Sequence, residues 1–247
     1  MNVYVIIFSM KRLDSFLLEK GYYPSREKAK EAIISARVKV DDKVVTKPAY
    51  IVENNAQIEA LPFEFVSRGG FKLQKALEEF KVDLKGKVVV DIGASTGGFT
   101  DVCLKNGAKK VYAIDTGTDQ LAESLRKDKR VISLENTNYL TFDKFNFPDA
   151  DIAVVDVSFV SLTKLAEKLS KDFNEIIALV KPQFECGKDY AKKHKGVVKD
   201  EKMHEKILKD ITYAFSSVGF TLSPIIPSPI LGGDGNKEFL LHAWKSK

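Results

Sequence analysis

The chain has 247 residues, 44% hydrophobic and 30% charged, which is room for one ordinary domain and a smaller one. Its net charge of +5 is compatible with a nucleic-acid partner without demanding one. Two distant Cys and three scattered His offer no disulfide framework and no metal-ligand spacing, which fits a reducing cytoplasm, and no apolar stretch is long enough to span a bilayer.

Val3 to Phe8 form a short apolar run that lacks a basic n-region and a small-residue cleavage site, so it makes a poor signal peptide. It reads either as an extra edge strand or as residues upstream of a true start at Met10, and the second is preferred because the first recognisable element follows Met10 directly. Leu13 to Lys20 has helical spacing and stops at Gly21. Ser25 caps a second helix, with Arg26, Lys28 and Lys30 on its outer side and Ala29, Ala32 and Ile33 turned inward. Val38-Lys39-Val40 and Val44-Val45 flank Asp41-Asp42-Lys43 as a hairpin, and Gln57 to Ala60 adds a short strand. Residues 10–61 therefore read as a small α+β domain. Its basic helix face is a candidate RNA contact, although such a face is as often plain solvated surface.

Residues 62–70 read as a linker ending in the turn Ser67-Arg68-Gly69-Gly70, and 71–247 as one larger domain opening on a helix from Phe71 to Phe80. Strands are expected near 88–92, 111–115, 131–135, 151–156, 175–180, 220–226 and 238–244, with helical patterns between most of them. That alternation implies a parallel sheet with right-handed crossovers. The last strand follows the turn Gly232-Gly233-Asp234-Gly235-Asn236 with no long helix before it, so it runs antiparallel to its neighbour. The fold class is thus α/β, a Rossmann-like sheet of seven strands with a final antiparallel strand, as in methyltransferases rather than dehydrogenases.

The most informative run is Val88-Val89-Val90-Asp91-Ile92-Gly93-Ala94-Ser95-Thr96-Gly97-Gly98-Phe99-Thr100. Three Val fit a strand buried on both faces. Gly93, Gly97 and Gly98 allow a backbone to approach a ligand, and the helix after them aims free N–H groups at it. Asp115 ends the next strand a little over 20 residues past the glycine turn, where an acid meets the ribose of a bound nucleoside. Ser95 stands where a dinucleotide fingerprint needs its second Gly, so the loop suits a smaller anionic group such as the carboxylate of S-adenosyl-L-methionine. A plain glycine turn with no ligand is the alternative.

Four charged residues stand where they can reach the carboxyl rim of the sheet: Lys72, Asp156, Lys181 and Glu238. Two Lys and two carboxylates suit removal of a proton from a weakly acidic hydroxyl. A free Lys, at about 10.4, is a poor base at neutral pH, and a second ammonium and partial burial improve it. Singly, each is more often an ordinary surface ion pair. Cys186 lies near Lys181 but lacks the preceding Pro of a cytosine C5 nucleophile, and Asp156-Val157-Ser158-Phe159 is not the D/N-P-P-Y/F box of amine methyltransferases.

These residues carry a resemblance. Ser67-Arg68-Gly69-Gly70-Phe71-Lys72-Leu73, the Asp91–Thr100 loop, Asp156-Val157-Ser158-Phe159-Val160-Ser161-Leu162, Leu179-Val180-Lys181-Pro182-Gln183-Phe184-Glu185 and Asn236-Lys237-Glu238-Phe239 resemble the TlyA family of hemolysin A-like rRNA methyltransferases. Arg12-Leu13-Asp14, Ser25-Arg26-Glu27-Lys28-Ala29 and Val44-Val45-Thr46-Lys47-Pro48 resemble the small RNA-binding domain named after the fourth protein of the small ribosomal subunit. The resemblance implies an FtsJ-like ribose 2′-O-methyltransferase acting on cytidine in rRNA, with Lys72, Asp156, Lys181 and Glu238 as its catalytic tetrad. It implies S-adenosyl-L-methionine held by Asp91, Gly93, Ser95, Gly97, Gly98 and Phe99, with Asp115 at the ribose and Asn136, Thr137 and Asn138 near the adenine. Arg12, Arg26, Lys28, Lys30 and Arg68 would touch RNA, and so would Lys192, Lys193 and Lys195 in a mobile loop spanning 188–199. The partners expected are rRNA or ribosomal subunits, for a cytoplasmic monomer or weak homodimer with no metal and no stable membrane association. The competing readings are a membrane-active hemolysin-like protein, for which the sequence has no amphipathic membrane segment, and a non-enzymatic rRNA-binding factor.

Overall fold

A computed structural model describes residues 10–62, 64–142, 147 and 149–246, so the apolar run Val3–Phe8 and the choice between Met1 and Met10 lie outside the described residues. The chain divides into two compact units, Met1–Glu64 and Phe65–Lys247.

The first unit runs β1 (Lys11–Arg12), α1 (Leu13–Glu19), α2 (Arg26–Ile34), β2 (Val38–Val40), β3 (Lys43–Val44), β4 (Ile51–Val52) and β5 (Ile58–Ala60). Ser25 caps α2 by accepting a hydrogen bond from the Lys28 N–H, and Gly21 leaves α1 with φ of 73°. Leu13, Phe16, Leu17, Ala29, Ala32 and Ile33 bury against Val38 and Val40. Asp41 and Asp42 both take positive φ, the geometry a two-residue hairpin needs, and the sheet order is β3-β2-β5. A separate ribbon pairs β1 with β4. Strands of two residues are too short to leave an alternating pattern in the sequence.

The second unit runs α3 (Gly69–Phe80), β6 (Val88–Ile92), α4 (Gly98–Lys105), β7 (Lys110–Ile114), α5 (Glu123–Arg126), β8 (Val131–Leu134), β9 (Ile152–Val155), α6 (Leu162–Asp172), β10 (Glu175–Val180), α7 (Pro182–Glu185), α8 (Lys188–Lys193), α9 (Glu201–Ser217), β11 (Thr221–Leu222), β12 (Ile226–Pro227) and β13 (Phe239–Trp244). The order across its sheet is β11-β13-β10-β9-β6-β7-β8, with β12 also on β13. Strands β10, β9, β6, β7 and β8 are parallel and β13 is antiparallel. All seven expected strand positions are filled, but the sixth is split into β11 and β12, which makes eight strands. Pro224 has no N–H to give the ladder, and the register slips by one residue between Leu222↔Ala243 and Ile226↔Leu240, the mark of a bulge.

Alternate residues of each central strand enter opposite cores. Val90, Ile92, Ala153, Val155, Ala178 and Val180 face α6 and α9. Val89, Ile152, Val154, Ile177 and Leu179 face α3 and α4. Each buried Val, Ile or Leu among them contributes about 1.5–3 kcal/mol, so the strand ends that carry the polar rim are rigidly held.

Two expectations need correction. The stretch 62–70 is only partly a linker: Phe65 is buried in the second unit, 5.1 Å from the Phe71 ring, and the Val66 N–H donates to Asp101. Gly69 and Gly70 form the first turn of α3 rather than a turn before it. A Cβ on Gly70 would lie 2.5 Å from the Phe65 ring, so the glycine serves close packing.

Candidate active site

Chain order reverses between β6 and β9, and the second unit opens a cleft there of about 290 Å³ at the carboxyl ends of the strands. Gly93 and Ser95 after β6, Asp115 after β7, Thr137 and Asn138 after β8, and Asp156 after β9 all line it. Both Asp115 oxygens accept backbone hydrogen bonds, Oδ2 from Ser95 N at 2.8 Å and Oδ1 from Gly117 N at 2.7 Å. These bonds fix the carboxylate at the mouth of the glycine loop.

Asp91, Gly97, Gly98, Phe99 and Asn136 are not among the lining residues. Asp91 is fully buried beneath the loop; Thr100 Oγ1 donates to its Oδ2 at 2.6 Å, while its Oδ1 has no hydrogen-bond partner. Burial pushes this carboxyl up to about 7. Phe99 packs into the core shared with α3. Asn136 takes φ of 50° and donates its N–H to Gly117 O, closing a turn.

The glycines also act differently from expectation. A Cβ on Gly93, at φ of 88°, would come 2.6 Å from the Asp156 carbonyl oxygen. One on Gly97 would strike Leu125, and one on Gly98 would strike Ser67 Oγ. Their missing side chains let β6, β9 and the flanking helices close up; the space they leave is taken by protein.

The four charged residues form two ion pairs. Lys72 Nζ donates to Glu238 Oε2 at 2.6 Å, both side chains being buried. Lys181 Nζ lies 2.7 Å from Asp156 Oδ1. That contact is not aligned as a hydrogen bond, since Asp156 Oδ1 has none; Lys181 instead donates to Ser158 Oγ at 2.9 Å. Val180 pairs with Phe239, so Lys181 and Glu238 follow and precede these partners at the same end of the β10–β13 ladder. The sequence reading has Lys72 acting on Lys181; here each ammonium has its own carboxylate, Glu238 for Lys72 and Asp156 for Lys181.

Other RNA candidates differ in their surroundings. Arg12 and Arg26 share the buried Asp14 carboxylate, at 3.0 and 3.1 Å, and hold it down at about 2, the Arg12 hydrogen bond being the larger cause. Both guanidinium side chains keep over two-fifths of their surface in solvent. Lys28 pairs with Glu31, and Lys30 is half-buried. Arg68 precedes α3 at its N-cap. Lys192, Lys193 and Lys195 are exposed, but the first two end the short helix α8 where a loop is expected; Asp189 in its first turn and the two Lys in its last suit the helix dipole.

Sequence reasoning missed Ser158, Phe159, Gln120 and Tyr139, all lining the cleft. Phe159 is 88% exposed with φ of 65°, its ring 5.1 Å from Phe184. The Asp156–Leu162 motif held the signal for the first two, because residues just after a strand of a parallel sheet face the ligand side. Burial raises the Cys186 thiol, which lowers its share of the reactive thiolate, and Cys186 is not among the residues lining the cleft.

A doubly wound sheet with antiparallel β13 and an acid-lined cleft at the β6/β9 reversal defines a Rossmann-like methyltransferase. Residues 65–245 match the FtsJ-like methyltransferase family and residues 11–58 the S4 domain. The chain belongs to the FtsJ-like methyltransferases, in the TlyA group that carries an S4 domain, as its motifs imply. It is 41% identical over 237 residues to hemolysin A of Brachyspira hyodysenteriae, covering 94% of this chain and 98% of that one. It is 37% identical over 242 residues to the 16S/23S rRNA (cytidine-2′-O)-methyltransferase TlyA of Mycobacterium tuberculosis, covering 93% and 88%. A solved Streptococcus thermophilus structure that carries a hemolysin label is 38% identical, covers 97% of this chain and 90% of its own, and has a TM-score of 0.74.

Proposed function

We propose that the protein methylates the 2′-hydroxyl of cytidine in ribosomal RNA, using S-adenosylmethionine, in the cytoplasm where ribosomes are. The observation that carries this is Lys181 held against Asp156, which lines the β6/β9 cleft, in a chain similar over most of its length to TlyA of M. tuberculosis.

The residues present fit the cofactor. Asp115, with both oxygens aimed by backbone N–H groups, suits ribose hydroxyls; the orphaned Asp91 Oδ1 and the Gly93–Ser95 turn suit the methionine end; Thr137 and Asn138 suit the adenine. When bound, S-adenosylmethionine supplies a methyl group already activated by its sulfonium charge. The protein's own task is to align a ribose hydroxyl and accept its proton. Lys181 is the acceptor, because it ends a rigid strand and Pro182 fixes its exit. Asp156 holds it beside the cleft, and Glu238 holds Lys72 beside the same ladder end. Arg12, Arg26, Lys28 and Lys30 on the first unit, with Arg68, Lys192, Lys193 and Lys195 on the second, would neutralise phosphates. Among the described residues no group of three or more His, Cys, Asp or Glu side chains is placed to hold a metal ion.

Mapping 2′-O-methylation on rRNA from cells with and without the gene tests the proposal. Loss of one or more cytidine marks is expected, and an unchanged map overturns it. Purified Lys181→Ala and Lys181→Arg should both lose methyl transfer, since guanidinium stays protonated, while calorimetry gives a near-native S-adenosylmethionine affinity. A Lys181→Arg enzyme turning over normally overturns the role of Lys181. Hemolytic activity has a cheap check, dye release from liposomes by pure protein; among the described residues no helix is long and apolar enough to cross a membrane.

A further inference from the structure

We propose that Ser158 is a positioning residue that aims Lys181, a role otherwise expected of Asp156 alone. The inference rests on the reading of Lys181 as proton acceptor. An amine that is to receive a proton from a substrate must point a chosen tetrahedral position of its nitrogen at the reacting hydroxyl. The ammonium–carboxylate attraction to Asp156 keeps Lys181 beside the cleft but, at 2.7 Å and off hydrogen-bond alignment, does not fix the direction of its N–H groups. The aligned hydrogen bond of Lys181 runs to Ser158 Oγ at 2.9 Å. It fixes one N–H direction, and tetrahedral geometry then fixes the others.

Ser158 is itself held. Its loop joins β9 to α6, and the far end of that loop is pinned to the chain that follows Lys181. Glu185 accepts from Ser161 Oγ at 2.6 Å and from Leu162 N at 2.7 Å, and the Phe159 and Phe184 rings meet between these two points. The two loops that leave the strand ends of Asp156 and Lys181 are therefore laced together just beyond the Lys181–Ser158 bond. Ser158 is exposed and lines the cleft, so its side chain can be changed without touching a core.

The test compares Ser158→Ala and Ser158→Thr in the full chain, using ribosomal subunits that lack the mark and S-adenosylmethionine. Ser158→Ala should lower the single-turnover rate at saturation by about 10- to 100-fold, the scale of a misaimed group. Its S-adenosylmethionine affinity and KM for subunits should stay within about twofold, and Ser158→Thr, which keeps the hydroxyl, should restore most of the rate. An unchanged Ser158→Ala rate overturns the proposal. So does weakened cofactor affinity with a native saturated rate, which would make Ser158 a cofactor contact, and so does a Ser158→Thr as slow as Ser158→Ala. Lys181→Arg is the control: if it is active, the reading of Lys181 falls and this inference with it, whereas an inactive Lys181→Arg beside a native Ser158→Ala overturns this inference alone.

Discussion

Asp91 has one oxygen bonded to Thr100 and one bonded to nothing, in a fully buried site, and its carboxyl is held up at about 7 by that burial. The unfolded chain releases this proton near the ordinary carboxylate value of about 3.9. Between the two values the folded chain keeps a proton that the unfolded chain has lost, so the stability tied to Asp91 is full below about 4 and is lost as pH rises to about 7. The size is on the order of 4 kcal/mol. Urea unfolding at pH 5 and pH 8 should therefore give a drop that Asp91→Asn flattens; an equal drop in both proteins would rule out Asp91 as its source. Asp115 lies in the open cleft and its effect is on binding. Asp115→Ala removes a charged acceptor of ribose hydroxyls and should weaken S-adenosylmethionine by about 10- to 100-fold in calorimetry, since a hydrogen bond to a charged group contributes about 1.5–3 kcal/mol.

At the scale of elements, the junction of β6 and β9 positions the site. Asp156 N donates to Ile92 O, and Gly93 sits with its missing Cβ against the Asp156 carbonyl. Gly93→Ala would force both a strained positive φ and a shift of the chain carrying Asp156. The strain alone costs about 1–3 kcal/mol. Thermal melting should drop by several degrees, and cofactor binding should fall with it; native binding in a destabilised Gly93→Ala would mean that the shift does not reach the cleft. The same junction explains a misjudged feature. Glycines in a loop between strand and helix read from sequence as space for a ligand, whereas Gly93, Gly97 and Gly98 are filled on their Cβ side by Asp156, Leu125 and Ser67.

On the scale of the whole molecule, each unit has its own buried core, the first built on α1, α2 and β2 and the second on both faces of the large sheet. Removing residues 1–64 should leave cofactor affinity near native and abolish methylation of ribosomal substrate. Native-rate methylation by the truncated chain would mean that the second unit finds its RNA alone. RNA affinity of the full chain should fall steeply with salt, because phosphate contacts release counterions; a flat salt series would remove the basic residues from the interface.

The alternation of elements in the second unit was legible because a parallel sheet buries its strands on both faces, so β9 and β10 after Glu175 appear as apolar runs and β6 as one interrupted only by Asp91. The cleft residues Gly93, Ser95, Asp115 and Asp156 were legible because a strand end is a position along the chain, and strand ends line the ligand side of such sheets. Which side chains meet was not legible. Arg12 and Arg26 converging on Asp14, Lys72 reaching Glu238 across 166 residues, and Ser158 rather than Asp156 giving Lys181 its aligned hydrogen bond are all contacts between distant or differently oriented segments. The break of the sixth strand at Pro224 belongs with them, since it shows only against the register of β13. Local spacing determines the elements and the chemical types at their ends. Distances and hydrogen-bond directions exist only once the sheet has brought those ends together, and on them depends which ammonium is aimed at the substrate.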